Sequence, residues 1–401
     1  MRKKILFIHH GIGWGGAPNS LIKLINGLDT SQYEAEVLLL KDSIVSKKLK
    51  ENHIKFKVAD SIFYKKFYEY FPHNYVSKHI KWYQLYLPLK LSVLWLLSHY
   101  YFAKKELLKH EFDIVHLNSS VLTDWLYPAK NKGKVIIHIR EPLRKGKLDI
   151  LYYFFTSQMR RYADHIIAIS NDNARRVNIP SKTTVVYNYS NVENIDELNI
   201  KEYSSKSVLY VGGLAEIKGF YNMVEALPFI NDDIKVYFAG YYNTSLSNNH
   251  LNVTLKIKLK RILKKILFRK ETMLYNNFVR SSKAINIGLL SDINEYLDQT
   301  VCLISPFSLP HFARPIIESY ARRKPAIATK IDGMDELIDH DKTGFLVELG
   351  NPQSLANTIN LLCENPKVAK EMGNNGYLKA KSNFSQNNNN QILDVFDNLF
   401  N

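Results

Sequence analysis

The chain has 401 residues, 46% of them apolar, two cysteines and a formal net charge of +16. That length exceeds one compact core and suits two domains of roughly 180–200 residues, and two cysteines, Cys302 and Cys363, exclude a disulfide framework and point to the cytosol. The charge favours an acidic partner: nucleic acid, anionic lipid or a phosphorylated substrate.

The start, MRKKILFIHHGIGWGG, has a four-residue apolar run before His9 and His10. It reads as a first strand over 3–10 running into a glycine-rich loop, not as a secretory signal. A helical pattern follows from Ser20 to Leu28, then a second strand over 34–41. Residues 62–105 are dense in Tyr, Phe, Trp and Lys. Pro88, Lys90 and His99 interrupt their longest apolar stretch, far short of the ~20 residues a spanning helix needs. FDIVHLNSS (112–120), KVIIHIREP (134–142), HIIAIS (165–170) and TTVVYNYSNVE (183–193) are further strands. Polar residues 191–206 read as a linker.

The pattern then restarts. SVLYVGGL (207–214) is a strand with a glycine loop, Phe220–Leu227 a helix and IKVYFAG (234–240) a strand. AINIGLL, TVCLISPF and KPAIATKI are three more strand candidates. Two doubly wound α/β halves in tandem are expected, with ligands at the carboxyl ends of the strands. The segment LKIKLKRILKKILFRK (255–270) places Leu255, Leu259, Ile262, Leu263, Ile266 and Leu267 on one helical face, with only Lys and Arg among its charges. Such a helix fits an anionic membrane surface. The Asn-rich stretch 382–391 reads as a loop before a short last helix.

The segment 305–352 is the most informative. Glu318, the strand-like Lys324-Pro325-Ala326-Ile327-Ala328-Thr329, the turn residues Gly333 and Glu336, and Gly344-Phe345-Leu346-Val347 follow one another in a distinctive order. This segment resembles the nucleotide-sugar motif of the family 4 retaining glycosyltransferases, which have the GT-B fold. Gly15-Gly16, DIVHLNSS, IIAISNDNARRV and VGGLAEIKGF resemble further family segments. The sequence departs from the family at three positions. Pro310 stands where a first motif glutamate is usual, Gly213 replaces an arginine, and Asn118 stands where a histidine often follows His116.

The resemblance implies two facing Rossmann-like domains with the site in the cleft between them. They would cover 1–190 and 207–380, joined by 191–206, with a loop and helix over 381–401 that could cross back to the first. It implies transfer of a sugar, with retention, from a nucleoside-diphosphate donor to a membrane-associated glycolipid or cell-surface polysaccharide. The leaving diphosphate needs cations and backbone N–H donors. Lys218 is a candidate point charge and Arg314 a candidate fork. The helix beginning near Pro315 would aim its N-terminus at the phosphates, and Glu318 resembles the family's ribose-binding carboxylate. The candidate catalytic residues are Glu318, Lys218, Arg314, His116 and Asn118. Gly212, Gly213, His311, Phe312, Ala313, Pro315 and Ile316 join Lys218, Arg314 and Glu318 as candidate donor contacts. Gly15, Gly16, Arg140 and Glu141 are candidates on the acceptor side.

Neither a cofactor nor a metal is expected, since lysine and arginine take the place of a cation. The partners expected are a nucleotide sugar, a lipid-linked or polysaccharide acceptor, and an anionic membrane surface met through 255–270 and the 62–105 insertion, on the cytoplasmic face. No nucleic-acid module is recognised. The alternatives are a non-catalytic partner or glycan-binding subunit on the same fold and, below it, a sugar-nucleotide epimerase.

Overall fold

A computed structural model describes residues 2–75, 86–146, 148–192, 203–240, 269–290 and 292–400. The chain forms two compact units, Met1–Tyr189 with Asn383–Asn401, and Ser190–Ser382.

The first unit is a seven-stranded sheet in the order β3-β2-β1-β4-β5-β6-β7. Its strands are β1 (Lys3–His9), β2 (Tyr33–Leu39), β3 (Phe56–Val58), β4 (Ile114–Leu117), β5 (Lys134–Ile139), β6 (His165–Ala168) and β7 (Thr183–Val185). Every pairing is parallel. Helices α1 (Gly16–Asn26), α2 (Ile44–Glu51), α3 (Tyr86–Leu97), α4 (Ala103–Leu107), α5 (Leu126–Lys130), α6 (Ile150–Tyr162) and α7 (Asn171–Val177) connect the strands.

Alternate residues of a strand face opposite sides, so a sheet covered on both faces needs unbroken apolar runs. Leu6, Ile8, Val115 and Leu117 pack on one side with Trp125. Ile5, Phe7 and Ile114 pack on the other with Leu21 and Leu24 of α1 and with Phe396 of the C-terminal helix. Burial of each such side chain stabilises the unit by about 1.5–3 kcal/mol.

The second unit is a six-stranded sheet in the order β10-β9-β8-β11-β12-β13. It is built from β8 (Ser207–Val211), β9 (Lys235–Ala239), β10 (Ala284–Gly288), β11 (Cys302–Ser305), β12 (Ala326–Thr329) and β13 (Gly344–Val347). Its pairings are also all parallel.

Several expectations change. Helix α1 starts at Gly16, not Ser20, so its first turn is the end of the glycine loop. The Asn-rich stretch is not a loop, because a helix runs from Asn387 to Asn398. Its amides are satisfied by the fold: Asn388 Nδ2 donates to the carbonyls of Tyr187 (3.2 Å) and Asn383 (2.7 Å). Asn389 packs over Gly27, where a Cβ would lie 2.1 Å from Nδ2. Tertiary burial here outweighs the weak helix propensity of asparagine. The expected linker ends inside a core, because Tyr203 is fully buried and donates to the Arg323 carbonyl. The basic stripe lies outside the described residues from 255 to 268, as do residues 76–85 of the aromatic insertion. Among the described residues, no helix is long and apolar enough to cross a membrane.

Candidate active site

In each sheet the strand order reverses once, between β1 and β4 and between β8 and β11. The crevice outside the carboxyl ends at such a switch point is where open α/β sheets take ligands. The loops leaving those four strands carry nearly all the candidate residues.

In the second unit, β8 runs into Gly212 and Gly213. Both N–H groups donate to the Ala239 carbonyl, at 3.1 Å each. A side chain at Gly212 would strike the Tyr210 hydroxyl, and Gly213 has φ 58°. These two glycines therefore form a tight turn whose amides are already committed to β9, which corrects their reading as donor contacts.

The loop then passes through a 3₁₀ turn, Glu216–Lys218, to Gly219, at φ 83°, and the Phe220–Ala226 helix. Gly219 lies so close to the loop after β11 that a Cβ would sit 1.8 Å from the Pro306 carbonyl oxygen. Asn222 Nδ2 donates to that oxygen at 3.2 Å, and the Ser308 N–H donates to the Ile217 carbonyl at 3.1 Å. The two switch-point loops are thus tied together, and the tie places Lys218.

Lys218 keeps an exposed side chain, and the protein around its ammonium lowers its pKa by desolvation. His311 stacks on Phe307 with ring centroids 4.2 Å apart. Burial, helped by the charge of Lys218, pushes the His311 pKa down to about 3, so the ring is neutral at pH 7. Phe312, Ala313 and Ile316 are buried and hold the loop by packing, so their side chains do not line a ligand site. The Arg314–Ala321 helix follows with Pro315 in its first turn and no side-chain cap. Proline is well placed there, because its missing N–H would have had no intrahelical partner.

One turn apart, Arg314 and Glu318 pair. Arg314 Nε donates to Glu318 Oε1 at 2.9 Å, and a second guanidinium nitrogen reaches the same oxygen. Oε2 of Glu318 accepts no hydrogen bond from the described residues, and both side chains are partly exposed. The pair orients the carboxylate and leaves one oxygen for a ligand.

In the first unit, the switch point is built from His9, Asn118 and Arg140. Arg140 Nε donates to Asn118 Oδ1 at 2.7 Å, which fixes the amide, and Asn118 Nδ2 lies 3.1 Å from His9 Nδ1. An amide nitrogen only donates, so Nδ1 accepts and the His9 proton sits on Nε2. That Nε2 has no hydrogen-bond partner among the described residues and faces Gly11, where a Cβ would come within 2.9 Å. Burial, with the charges of His10 and Arg140 adding, lowers the His9 pKa to about 3. Arg140 Nη1 also donates to Asn188 Oδ1 at 3.3 Å.

Glu141 turns elsewhere. Its Oε2 accepts from the Ser119 hydroxyl at 2.9 Å and from the Ser120 hydroxyl at 3.1 Å, which braces the loop after β4, and burial raises its pKa. Gly15 and Gly16 lead into α1 with open space where their side chains would be. Ser170 is a helix N-cap, its hydroxyl accepting from the Asn173 N–H at 3.0 Å.

His116 needs a correction. Its ring is fully buried between Phe7 and Phe396, with Nε2 3.2 Å from His138 Nδ1. Strand alternation turns it into the core, so it is a packing residue. Asn118, also buried, acts by positioning Arg140 and His9. His9 was missed as a site neighbour. Its place at the last residue of β1, next to the glycine loop, is the signal that could have found it.

Two family descriptions cover most of the chain: "Glycosyl transferases group 1" matches residues 191–379 and "Glycosyltransferase Family 4" matches residues 14–193. The chain belongs to the group 1 glycosyltransferases. It is 26% identical to an uncharacterized glycosyltransferase of Methanocaldococcus jannaschii over 56% of each chain. It is 24% identical to the N-acetylgalactosamine-N,N'-diacetylbacillosaminyl-diphospho-undecaprenol 4-alpha-N-acetylgalactosaminyltransferase of Campylobacter jejuni, over 51% of this chain and 50% of that one. The chain thus spans about half the length of these curated relatives. Its fold matches that of Anabaena HepE, solved in complex with UDP and glucose, with a TM-score of 0.70 and 20% identity over 99% of this chain and all of the other. Both parallel sheets are therefore those of a GT-B glycosyltransferase.

Proposed function

We propose that the chain transfers a sugar from a nucleoside-diphosphate donor, with retention, to a lipid-linked or polysaccharide acceptor at the cytoplasmic face of a membrane. The observation that carries this reading is the Arg314–Glu318 pair opening the helix after β11, beside Lys218 at the same switch point. Lys218 and the Arg314 guanidinium stabilise the charge that grows on the diphosphate, and the N-terminus of the Arg314–Ala321 helix adds its partial positive charge. The free Oε2 of Glu318 accepts from ribose hydroxyls. The bond from the anomeric carbon to the phosphate oxygen breaks as the acceptor oxygen bonds to that carbon on the same face. The acceptor proton passes to the leaving phosphate. The acceptor side falls to the glycine loop with Gly15 and Gly16 and to Arg140 behind it.

UDP is the first donor base to test, because HepE was solved with it. The name of the Campylobacter relative supports an acceptor on a polyprenyl diphosphate. The net charge of +16 and the basic stripe over 255–270 support the membrane location.

A thermal-shift screen with UDP, GDP, ADP and CMP on wild type and Glu318→Ala tests the site. One nucleotide should raise the melting temperature of the wild type and not that of the variant. The decisive assay is release of that nucleoside diphosphate from its sugar form with membrane acceptor present. Binding without release would make the chain a non-catalytic partner, the reading that Pro310, Gly213 and Asn118 favour.

A further inference from the structure

Helix α3 is apolar apart from Lys90 and Ser92. Leu91, Leu94 and Trp95 point inward and are buried, and the following turn continues this face with Ser98 and His99. On the outside, Leu89, Val93, Leu96, Leu97 and Tyr100 are all exposed, Leu89 at 71%. Their offsets of 4, 7, 8 and 11 residues form one continuous stripe. A surface helix in water carries polar residues on that side, and a helix apolar on nearly all sides belongs in a core or a lipid phase.

The stripe does not end with α3. Trp95 meets Phe154 of α6 with ring centroids 5.1 Å apart. Beside that contact, Leu148, Ile150, Leu151, Tyr153 and Phe154 are exposed, Ile150 at 81%. Past the end of α3, Phe102 stacks on Phe63 with ring centroids 4.1 Å apart, and Phe67, one turn from Phe63, is exposed. Two separate elements thus contribute exposed apolar side chains that meet at Trp95 and Phe154, and clustered exposure of this kind marks an interaction surface.

The rim is basic. Lys65, Lys66, Lys104, Lys105, Arg144 and Lys145 are exposed around the face. Residues 62–105 hold seven lysines and one acid, Glu69, which pairs with Lys90 at 2.7 Å. Asp149, the acid next to the α6 end, turns inward to cap that helix through the Tyr152 N–H. Two copies joined through this face would bring two basic rims together. An anionic bilayer satisfies both features: acyl chains take the leucines, and headgroup phosphates take the lysines. Tyr86, Tyr100, Tyr101 and Tyr153 are exposed with the stripe, as interfacial rings are.

We infer that the outer face of α3 together with the start of α6 lies in the headgroup layer of an anionic membrane. The inference deepens the reading of a membrane-borne acceptor by naming the surface that meets the lipid, and it includes residues 148–154, which the sequence pattern did not single out.

Flotation with vesicles tests it, one set of phosphatidylcholine and one of equal parts phosphatidylcholine and phosphatidylglycerol. Wild type should float with the anionic vesicles. Leu89→Gln with Val93→Gln and Leu96→Gln should lower the bound fraction about tenfold or more. Lys104→Glu with Lys105→Glu should remove the preference for phosphatidylglycerol. Both native cysteines are buried, so Val93→Cys can be labelled selectively with a polarity-sensitive dye. Its emission should shift to the blue on anionic vesicles.

Flotation of the triple variant like wild type, or unchanged emission from the label, would overturn the inference. So would a wild type that ignores vesicles and forms a dimer or a complex with an acidic protein that the leucine variants dissociate. The UDP-induced thermal shift is read on the same variants. Its absence in wild type would count against the donor reading alone, and vesicle binding would stand.

Discussion

The two sheets share one topology about their switch points, yet they place polar groups at different depths. In the second unit, Lys218, Arg314 and Glu318 stand at the rim, above a core of apolar side chains. In the first, His9, His116, His138 and Asp124 are all at least 98% buried. A rim charge is free to meet a ligand, whereas a buried histidine must stay neutral and makes the fold depend on pH. The comparison assigns chemistry to the second unit and conformational sensitivity to the first, and each half of that assignment can be broken.

The largest expected effect is acid lability of the first unit. Burial depresses the pKa of His9, His116 and His138. The unfolded chain therefore takes up protons that the folded unit refuses. The associated stability is complete above the unfolded pKa near 6.5 and is lost as pH falls below it, by about 2 kcal/mol for each histidine at pH 5. Trp14, Trp82, Trp95 and Trp125 all belong to the first unit, so tryptophan fluorescence follows it selectively. Urea midpoints by fluorescence should drop from pH 7 to pH 5 more than those by far-ultraviolet circular dichroism. Equal drops would break the contrast.

Next comes turnover. Glu318→Ala should lower kcat/KM by about 10²–10³, chiefly through a raised donor KM, as loss of a charged contact to both ribose hydroxyls requires. Arg314→Lys, which keeps the charge and loses the fork, should fall in the same direction by less. His116→Leu should leave kcat within a few-fold. A folded His116→Leu protein without activity would return that histidine to the chemistry.

Asp124 sharpens the comparison with the opposite sign. Burial lifts its pKa to about 7. The folded unit holds a proton that the unfolded chain releases near pH 4, so stability falls as pH rises from about 4 to 7. Above that range the ionised carboxylate costs up to about 4 kcal/mol. Asp124→Asn should recover about 2 kcal/mol at pH 8 and little at pH 5, read from urea midpoints. The smallest effect is at Ser170, where loss of the N-cap in Ser170→Ala should cost about 1 kcal/mol and leave donor binding unchanged.

The succession of strands and the paired doubly wound plan were legible because apolar runs of four to seven residues recur between helical patterns, and parallel strands must connect through crossovers. The carboxylate of the candidate site was legible through the motif around Glu318. Three features were not. Gly212 and Gly213 read as donor contacts, but Ala239, on another strand, takes both their N–H groups. His116 looked catalytic at a strand end, but the side of the sheet it faces is set by its register beside Phe7 and by the C-terminal helix laying Phe396 over it. The asparagines of 387–391 read as a loop until Tyr187 and Gly27 supply partners and space for them.

The sequence by itself determined the class of fold and the family, and nominated side chains for a diphosphate, because periodicity and motif order are properties of neighbouring residues. Only the tertiary structure decided which of those groups are accessible, which are consumed by partners, and that exposed apolar side chains of α3 and α6 come together where Trp95 meets Phe154. Burial and hydrogen-bond satisfaction depend on residues that meet in space across tens to hundreds of positions of chain, and no local pattern carries that information.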